Sequence, residues 1–357
     1  MNRSSNQVLN PVLREVAVEP SLIEGARNAV VVCLRIQPHE KVTLITDQAS
    51  IEIAAALAAE LDTVGAPYRS WILEEAAPRP LADMPGPVLD DLETSQVSIF
   101  AAQAQANELR SRMQMTEVVT RRKIRHAHMV NITKQIMCDG MRADFREVDR
   151  ISLQVIEIAR AAALVRAKTP AGTDLTAEMN PDYKWLKTSG IISQNTWGNL
   201  PGGEIFTTPG EVNGTFVVDG VVGDYLCAKY GDLHANPLTI RIKGNRLSEA
   251  HCANRALEEE FWRYTHTDEN SDRVGEFAIG TNIGVRDVIG NILQDEKIPG
   301  VHIAFGDPYG SYTGAAWRST THIDVVGRKF DIWADDRVIM RAGQFVLDGT
   351  GFGRSGS

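Results

Sequence analysis

The chain reads as an α/β protein: an N-terminal α/β domain built on a parallel sheet, then a C-terminal mixed, β-rich α+β domain. Three observations predict this. Up to about residue 165, short apolar runs suited to buried strands alternate with helical patterns, the rhythm of βαβ units. Near Ala167 the character changes to many short β-type runs divided by Gly and Asp-Gly turns, as in GTFVVDG, PLTIRIKG, FDIWADD and RVIMRAG. Finally, 357 residues are more than one hydrophobic core usually fills. The expected division is a flexible polar arm over 1–19, an α/β domain over 20–165 and a second domain over 166–357.

Pro20 and Ser21 open a helix expected to run through Arg35, with apolar residues at helical spacing. KVTLITD is a buried strand ending at Asp47. The alanine-rich stretch 49–64 is a strong helix former closed by Gly65. PYRSWILE and QVSIFAAQ are further strands, and MTEVVTRRKIRHAHMVNIT is a helix followed by a strand. The glycines of VGAP and MPGP read as plain turn residues, and no GxGxxG or GxxxxGK motif marks a nucleotide site. Arg121, Arg122, Lys123 and Arg125 read as a solvated helix face or as a patch that attracts a carboxylate-bearing substrate. His126 and His128 have no acidic neighbour in sequence and read as structural or surface residues. FREVDRISLQVIEIARAAALVR is a long helix joining the halves. SEAHCANRALEEEFWRYTHT is a helix of the second half, with His251 and His266 on or just after it.

Composition narrows the class. The chain is 43% apolar and 23% charged, as globular proteins are. A net charge of −9 disfavours nucleic acid and anionic membranes as partners. No run approaches the roughly 18 apolar residues of a membrane span, so none is expected. The N-terminus lacks the apolar stretch of a signal peptide, which leaves a cytoplasmic location as the default. Cys33, Cys138, Cys227 and Cys252 are scattered without metal spacing and read as free thiols, Cys33 as core packing.

The chemistry concentrates between Val274 and Val326. THIDVV alternates and is rich in β-branched residues, so it reads as a strand, and its His322 and Asp324 face one point together. Glu276 and His302 each begin a short apolar run, EFAIG and HIAFG. A polar group at such a place must be satisfied by something. Glu204 follows Gly202 and Gly203 in a similar setting. Carboxylates with imidazoles suit Zn, Mn, Co or Fe(II). Each residue alone also fits a plainer role: a surface His-x-Asp pair, a solvated strand end at Glu276, a turn at Glu204 or Tyr309. No HExxH or CxxC pattern selects a metal.

LPGGEIFTTP, GEFAIGTN, GNILQDEKIPGVHIAFGDPYG and THID resemble, in order, the motifs of the aminopeptidase T family of metallopeptidases and its shorter relatives. The resemblance runs from about Ala167 to about Asp348. It implies Glu204, Glu276, His302, His322 and Asp324 as ligands of one or two divalent ions, with Glu276 bridging. It implies Tyr309 as the catalytic tyrosine and Glu204 or Glu276 as proton acceptor. It further implies a small-molecule or short-peptide substrate, a homodimer, and a site in or facing the cleft between the domains. Only 12 residues separate Tyr309 from His322, fewer than in typical family peptidases. The fold also resembles that of 2,5-dihydroxypyridine dioxygenase and of a nitroanthranilate-hydrolysing enzyme, so an aromatic-ring-degrading activity is the alternative. In the dioxygenase, the position of Glu276 holds histidine within a 2-His-1-carboxylate iron triad. Glutamate here favours a hydrolytic metal.

Overall fold

The structure, a computed structural model, describes residues 12–195 and 197–347. It is an α/β protein that divides into two units. One comprises the chain up to Arg146 together with Gly190–Gly202, the other Glu147–Ser189 and the chain from Gly203 onward.

The first unit carries a five-stranded parallel sheet in the order Tyr68–Ile72, Val42–Thr46, Val97–Ala102, Arg125–Val130, Gly198–Asn199. VTLIT and VSIFAA are buried along their whole length, as expected of strands covered on both faces. The fifth strand returns from the Gly190–Gly202 segment and is only two residues long, too short to leave a sequence pattern. The alanine-rich helix Ile51–Val64 ends at Gly65, whose φ of +79° makes the left-handed cap. MPGP is more than a turn: Gly86–Glu93 is a helix with Pro87 in its first turn, where a missing N–H is harmless. The segment after Pro20 is not one regular helix. A 3-10 turn over Pro20–Leu22 leads into Ile23–Arg27 and then a wider π turn over Asn28–Cys33. Of the arm expected over 1–19, residues 1–11 lie outside the described residues. Val12–Glu15 is a helical turn with Leu13 buried and Arg14 hydrogen-bonded to Asp62.

The histidines of this unit are core residues. Ser98 Oγ meets His126 Nδ1 at 2.8 Å, His126 Nε2 lies 3.2 Å from His128 Nδ1, and His128 stacks on Phe100. Burial pushes both pKa values down, that of His126 to about 3, so both are neutral. The basic run is spent on ion pairs: Arg121 and Arg122 with Glu93, Arg125 with Glu40.

In the second unit the long helix spans Phe145–Ala161 and stops short of its sequence pattern, because Leu164–Lys168 is a strand that buries Val165 and Ala167. Likewise SEAH belongs to the strand Arg246–His251, and the helix begins only at Arg255, where the Asn254 side chain accepts from Leu257 N–H. Eight strands form one sheet and five another, with antiparallel pairing throughout. Phe216 and Ile240 of the larger sheet share one core with Phe277, Ile303 and Ile323 of the smaller and with Ile151 and Val155 of the helix. Among the described residues no helix is long and apolar enough to cross a membrane.

Candidate metal centre

The five-stranded sheet runs His322–Val326, Gly300–Gly306, Val274–Gly280, Glu204–Thr207, Leu186–Lys187. Residues directly opposed in an antiparallel pair share a face. Ala278 opposes His302 on one side and Phe206 on the other, and Gly280 opposes Glu204. Ala304 opposes Glu276 and Asp324, and Gly306 opposes His322. Glu204, Glu276, His302, His322 and Asp324 therefore rise from one face, with Ala278, Gly280, Ala304 and Gly306 between them. At Gly280 and Gly306 neighbouring backbone approaches too closely for any side chain, so no larger residue fits between the ligands there. The opposite face is Ile205, Phe277, Ile279, Val301, Ile303, Phe305, Ile323 and Val325, all in the core. Gly306 has φ +108°, and a Cβ there would come within 2.2 Å of the Thr321 carbonyl oxygen, so only glycine lets the chain before His322 approach so closely.

Glu276 and His302 are not at the starts of their strands; each is the third residue, inside Val274–Gly280 and Gly300–Gly306. Their side chains converge. His302 Nε2 lies 3.5 Å from Glu204 Oε2 and 3.5 Å from Glu276 Oε1. His322 Nε2 lies 3.8 Å from Glu276 Oε2 and 3.5 Å from Asp324 Oδ1. Glu204–Glu276–His302 and Glu276–His322–Asp324 thus form two triads joined at Glu276. His266 is not brought here; it stacks on Trp262 at 4.3 Å.

The residues fit a metal ion on two counts. His302 Nε2 is buried without a hydrogen-bond partner, which a native core rarely tolerates. Its spacing to two carboxylate oxygens is too long for hydrogen bonds. It matches instead the roughly 3.3–3.6 Å between two atoms bound to one ion at about 2.0–2.2 Å and near-tetrahedral angles. His322 Nδ1 lies 3.0 Å from the Asp307 carbonyl, to which it donates, leaving Nε2 turned to the carboxylates.

Two participants escaped the sequence reading. Lys297, 1% exposed, places Nζ 2.7 Å from Glu204 Oε1 and 2.5 Å from Glu296 Oε1. Glu296 in turn groups with His302 and Asp324. Thr188 Oγ1 donates to the same Glu204 Oε1 at 2.8 Å. One oxygen of Glu204 is thereby fixed by Lys297 and Thr188, and the other faces His302. The only signal for Glu296 and Lys297 was an acid–base pair, EK, in the polar run QDEK before a buried strand.

Four carboxylates facing one lysine set the electrostatics. Burial works to raise the pKa of Glu204, but Lys297 and His302 outweigh it and hold the carboxyl below its usual value. Burial likewise opposes ionisation of Asp324, and His322 overcomes it. Glu296 is the carboxyl left over: burial pushes it up to about 8, because Lys297 cannot balance two acids. Burial alone would lower both imidazoles. Instead, Asp324 and Glu276 raise His322 to about 10, and Glu276, Glu204 and Asp324 raise His302.

Tyr309 sits over this face. Its ring centroid is 4.4 Å from that of His322 and 6.2 Å from that of Phe206. It adopts φ +49°, a left-handed conformation that is uncommon for an aromatic residue. Asp307 secures it by accepting from Tyr309 N–H at 2.9 Å. Desolvation, then the charges of Glu276 and Asp324, keep its hydroxyl protonated.

The sequence pattern of the thermophilic metalloprotease (M29) family matches residues 146–345. The chain belongs to this family. Two solved structures share the fold of this M29 protein. AmpT from Thermus thermophilus matches with a TM-score of 0.66 at 17% identity, over 93% of this chain and 100% of that one. 2,5-Dihydroxypyridine dioxygenase from Pseudomonas putida KT2440 matches with a TM-score of 0.67 at 15% identity, over 92% and 98%. No curated protein sequence matches the chain. Membership of the M29 family implies a peptidase-like hydrolase that uses a divalent metal, and the carboxylate–imidazole cluster is its candidate site.

Proposed function

We propose that the chain is an aminopeptidase-like metallohydrolase that opens an amide bond of a short peptide or related small substrate. Glu204, Glu276, His302, His322 and Asp324 would hold one or two divalent ions. The observation that carries this is His302 Nε2, buried and unbonded between two carboxylates. A bound ion of the Zn, Mn, Co or Fe(II) class supplies Lewis acidity at the scissile carbonyl and acidifies water. Glu276 belongs to both triads, and its two oxygens suit a bridge between two ions. Glu204, held charged by Lys297, serves better as an orienting group than as a base. Glu276 carries no lysine, and where a single ion binds, its free oxygen would be the one placed to take the proton from attacking water. The Tyr309 hydroxyl donates a hydrogen bond to the oxygen that gains charge.

Metal analysis of the purified protein, followed by two activity assays, tests this. Peptide hydrolysis with Mn, Co or Zn in the absence of oxygen is expected. An absolute need for Fe(II) and oxygen, with turnover of a hydroxylated aromatic acid, would replace it with the ring-degrading reading.

A further inference from the structure

Arg273 directly precedes the strand that carries Glu276. A β-bulge between Val274 and Glu276 interrupts the alternation of the strand there, so Arg273 is placed by its contacts. Its carbonyl accepts from Gly306 N–H at 2.7 Å, and Trp317 Nε1–H donates to the Gly306 carbonyl at 3.3 Å. Arg273 and Trp317 thus meet beside the residue that opposes His322. The Arg273 guanidinium carbon lies 3.5 Å from the centroid of a Trp317 ring, and Tyr183 packs edge-on against that indole at 6.3 Å.

The guanidinium is partly buried, yet among the described residues no carboxylate pairs with it and no acceptor takes its N–H groups. Its neighbours are wrong for a structural ion pair: burial and nearby Arg246 both lower its pKa. Arg125, by contrast, is matched by both oxygens of Glu40. A guanidinium held flat on an indole presents its N–H fork edgewise, in the geometry that grips a carboxylate through two bonds.

We propose that Arg273, seated on Trp317, is the receptor for a free carboxylate of the substrate. The assignment rests on the hydrolase reading for its choice of substrate and names one anchor of it. Arg273 lies three positions before Glu276 across that bulge, at most about 10 Å at roughly 3.3 Å per residue. An extended peptide of two or three residues spans about that distance at roughly 3.3–3.6 Å per residue. A short peptide with its scissile amide near Glu276 would bring its C-terminal carboxylate to Arg273, and a longer or amidated peptide would lack the anchor. An aromatic acid would use the same contact.

The test is equilibrium binding, so that it does not depend on turnover. Calorimetry compares a reduced-amide Leu–Leu–Leu tripeptide, whose first peptide bond is replaced by CH2–NH, with its C-terminal amide, and benzoate with benzamide. The metal-loaded protein should bind one free acid at least about tenfold more tightly than the matching amide. Arg273→Gln should abolish the preference, and Arg273→Lys, which keeps charge but loses the fork, should retain part of it. Thermal unfolding of each variant checks the fold. Preference for the peptide acid identifies a peptide carboxylate. Preference for benzoate alone keeps the receptor and removes the peptide reading. No acid preference in the wild-type protein, or one that survives in Arg273→Gln, overturns the proposal even if peptides are hydrolysed.

Discussion

In the first unit Arg79, 4% exposed, donates to Glu108 through Nε and Nη2, to Asp47 and Glu74 through Nη1, and to the Gln103 carbonyl through Nη2. Every guanidinium N–H of a residue that can offer five is spoken for. In the second unit four carboxylates and two imidazoles cluster, with Lys297 paired to Glu204 and Glu296, and His302 Nε2 bonds to nothing. Both are buried charge clusters, and both hold carboxylates at the ends or faces of strands. The first is closed: Arg79 and backbone N–H groups occupy the oxygens of Asp47, Glu74 and Glu108 and leave no ligand atom to offer. The second leaves His302 Nε2 buried without a hydrogen bond. Counting acids in a cluster does not find a metal site; asking whether the cluster satisfies itself does.

That contrast can be broken by substitution. Glu276→Ala should remove all detectable activity and most bound metal, because Glu276 belongs to both triads; full metal content by mass spectrometry would show that the centre lies elsewhere. Arg79→Met should leave metal stoichiometry unchanged but destabilise the chain by about 3–5 kcal/mol in urea unfolding, since Asp47 and Glu108 would stay buried without a counter-charge. A loss of metal in that variant would erase the distinction between the two clusters.

Smaller changes sharpen it. Tyr309→Phe should keep metal content and lower kcat by about 10²–10³-fold, the range for one donor to a developing oxyanion. Lys297→Met should weaken metal binding by about 10–100-fold in chelator competition, as loss of a group that orients a ligand does. Smallest is the effect of pH. Without metal, His322 keeps its proton up to about pH 10. That proton contributes stability in full below the ordinary imidazole value of 6.5 and is lost as pH rises toward 10. A metal has to expel it, so affinity should climb about tenfold per pH unit through neutrality, with at least one proton released in calorimetry. Affinity that falls as pH rises would contradict His322 as a ligand.

The sheet that carries the site was largely legible, because period-two alternation shows which residues share a face. His322 and Asp324 can be paired from THIDVV alone. What alternation cannot show is which turn residue folds back over the face. Lys297 lies between strands, and nothing local says that its amine reaches Glu204. The same limit hid the helix Gly86–Glu93 behind a Pro-Gly-Pro turn signal, and hid the two-residue strand Gly198–Asn199, whose pairing is wholly tertiary. His126 and His128 could be placed between core and surface only once the parallel sheet had buried them.

The five-stranded sheet divides its labour by parity: odd and even positions of the same strand answer to different demands. Phe277, Ile303 and Ile323 hold the layers together, while Glu276, His302 and Asp324, one step along, do nothing for the core. A side chain on the reactive side can therefore be exchanged without disturbing the packing beneath it. Such a surface is a workbench on which selection can swap one ligand for another and arrive at a new reaction while the architecture stays put.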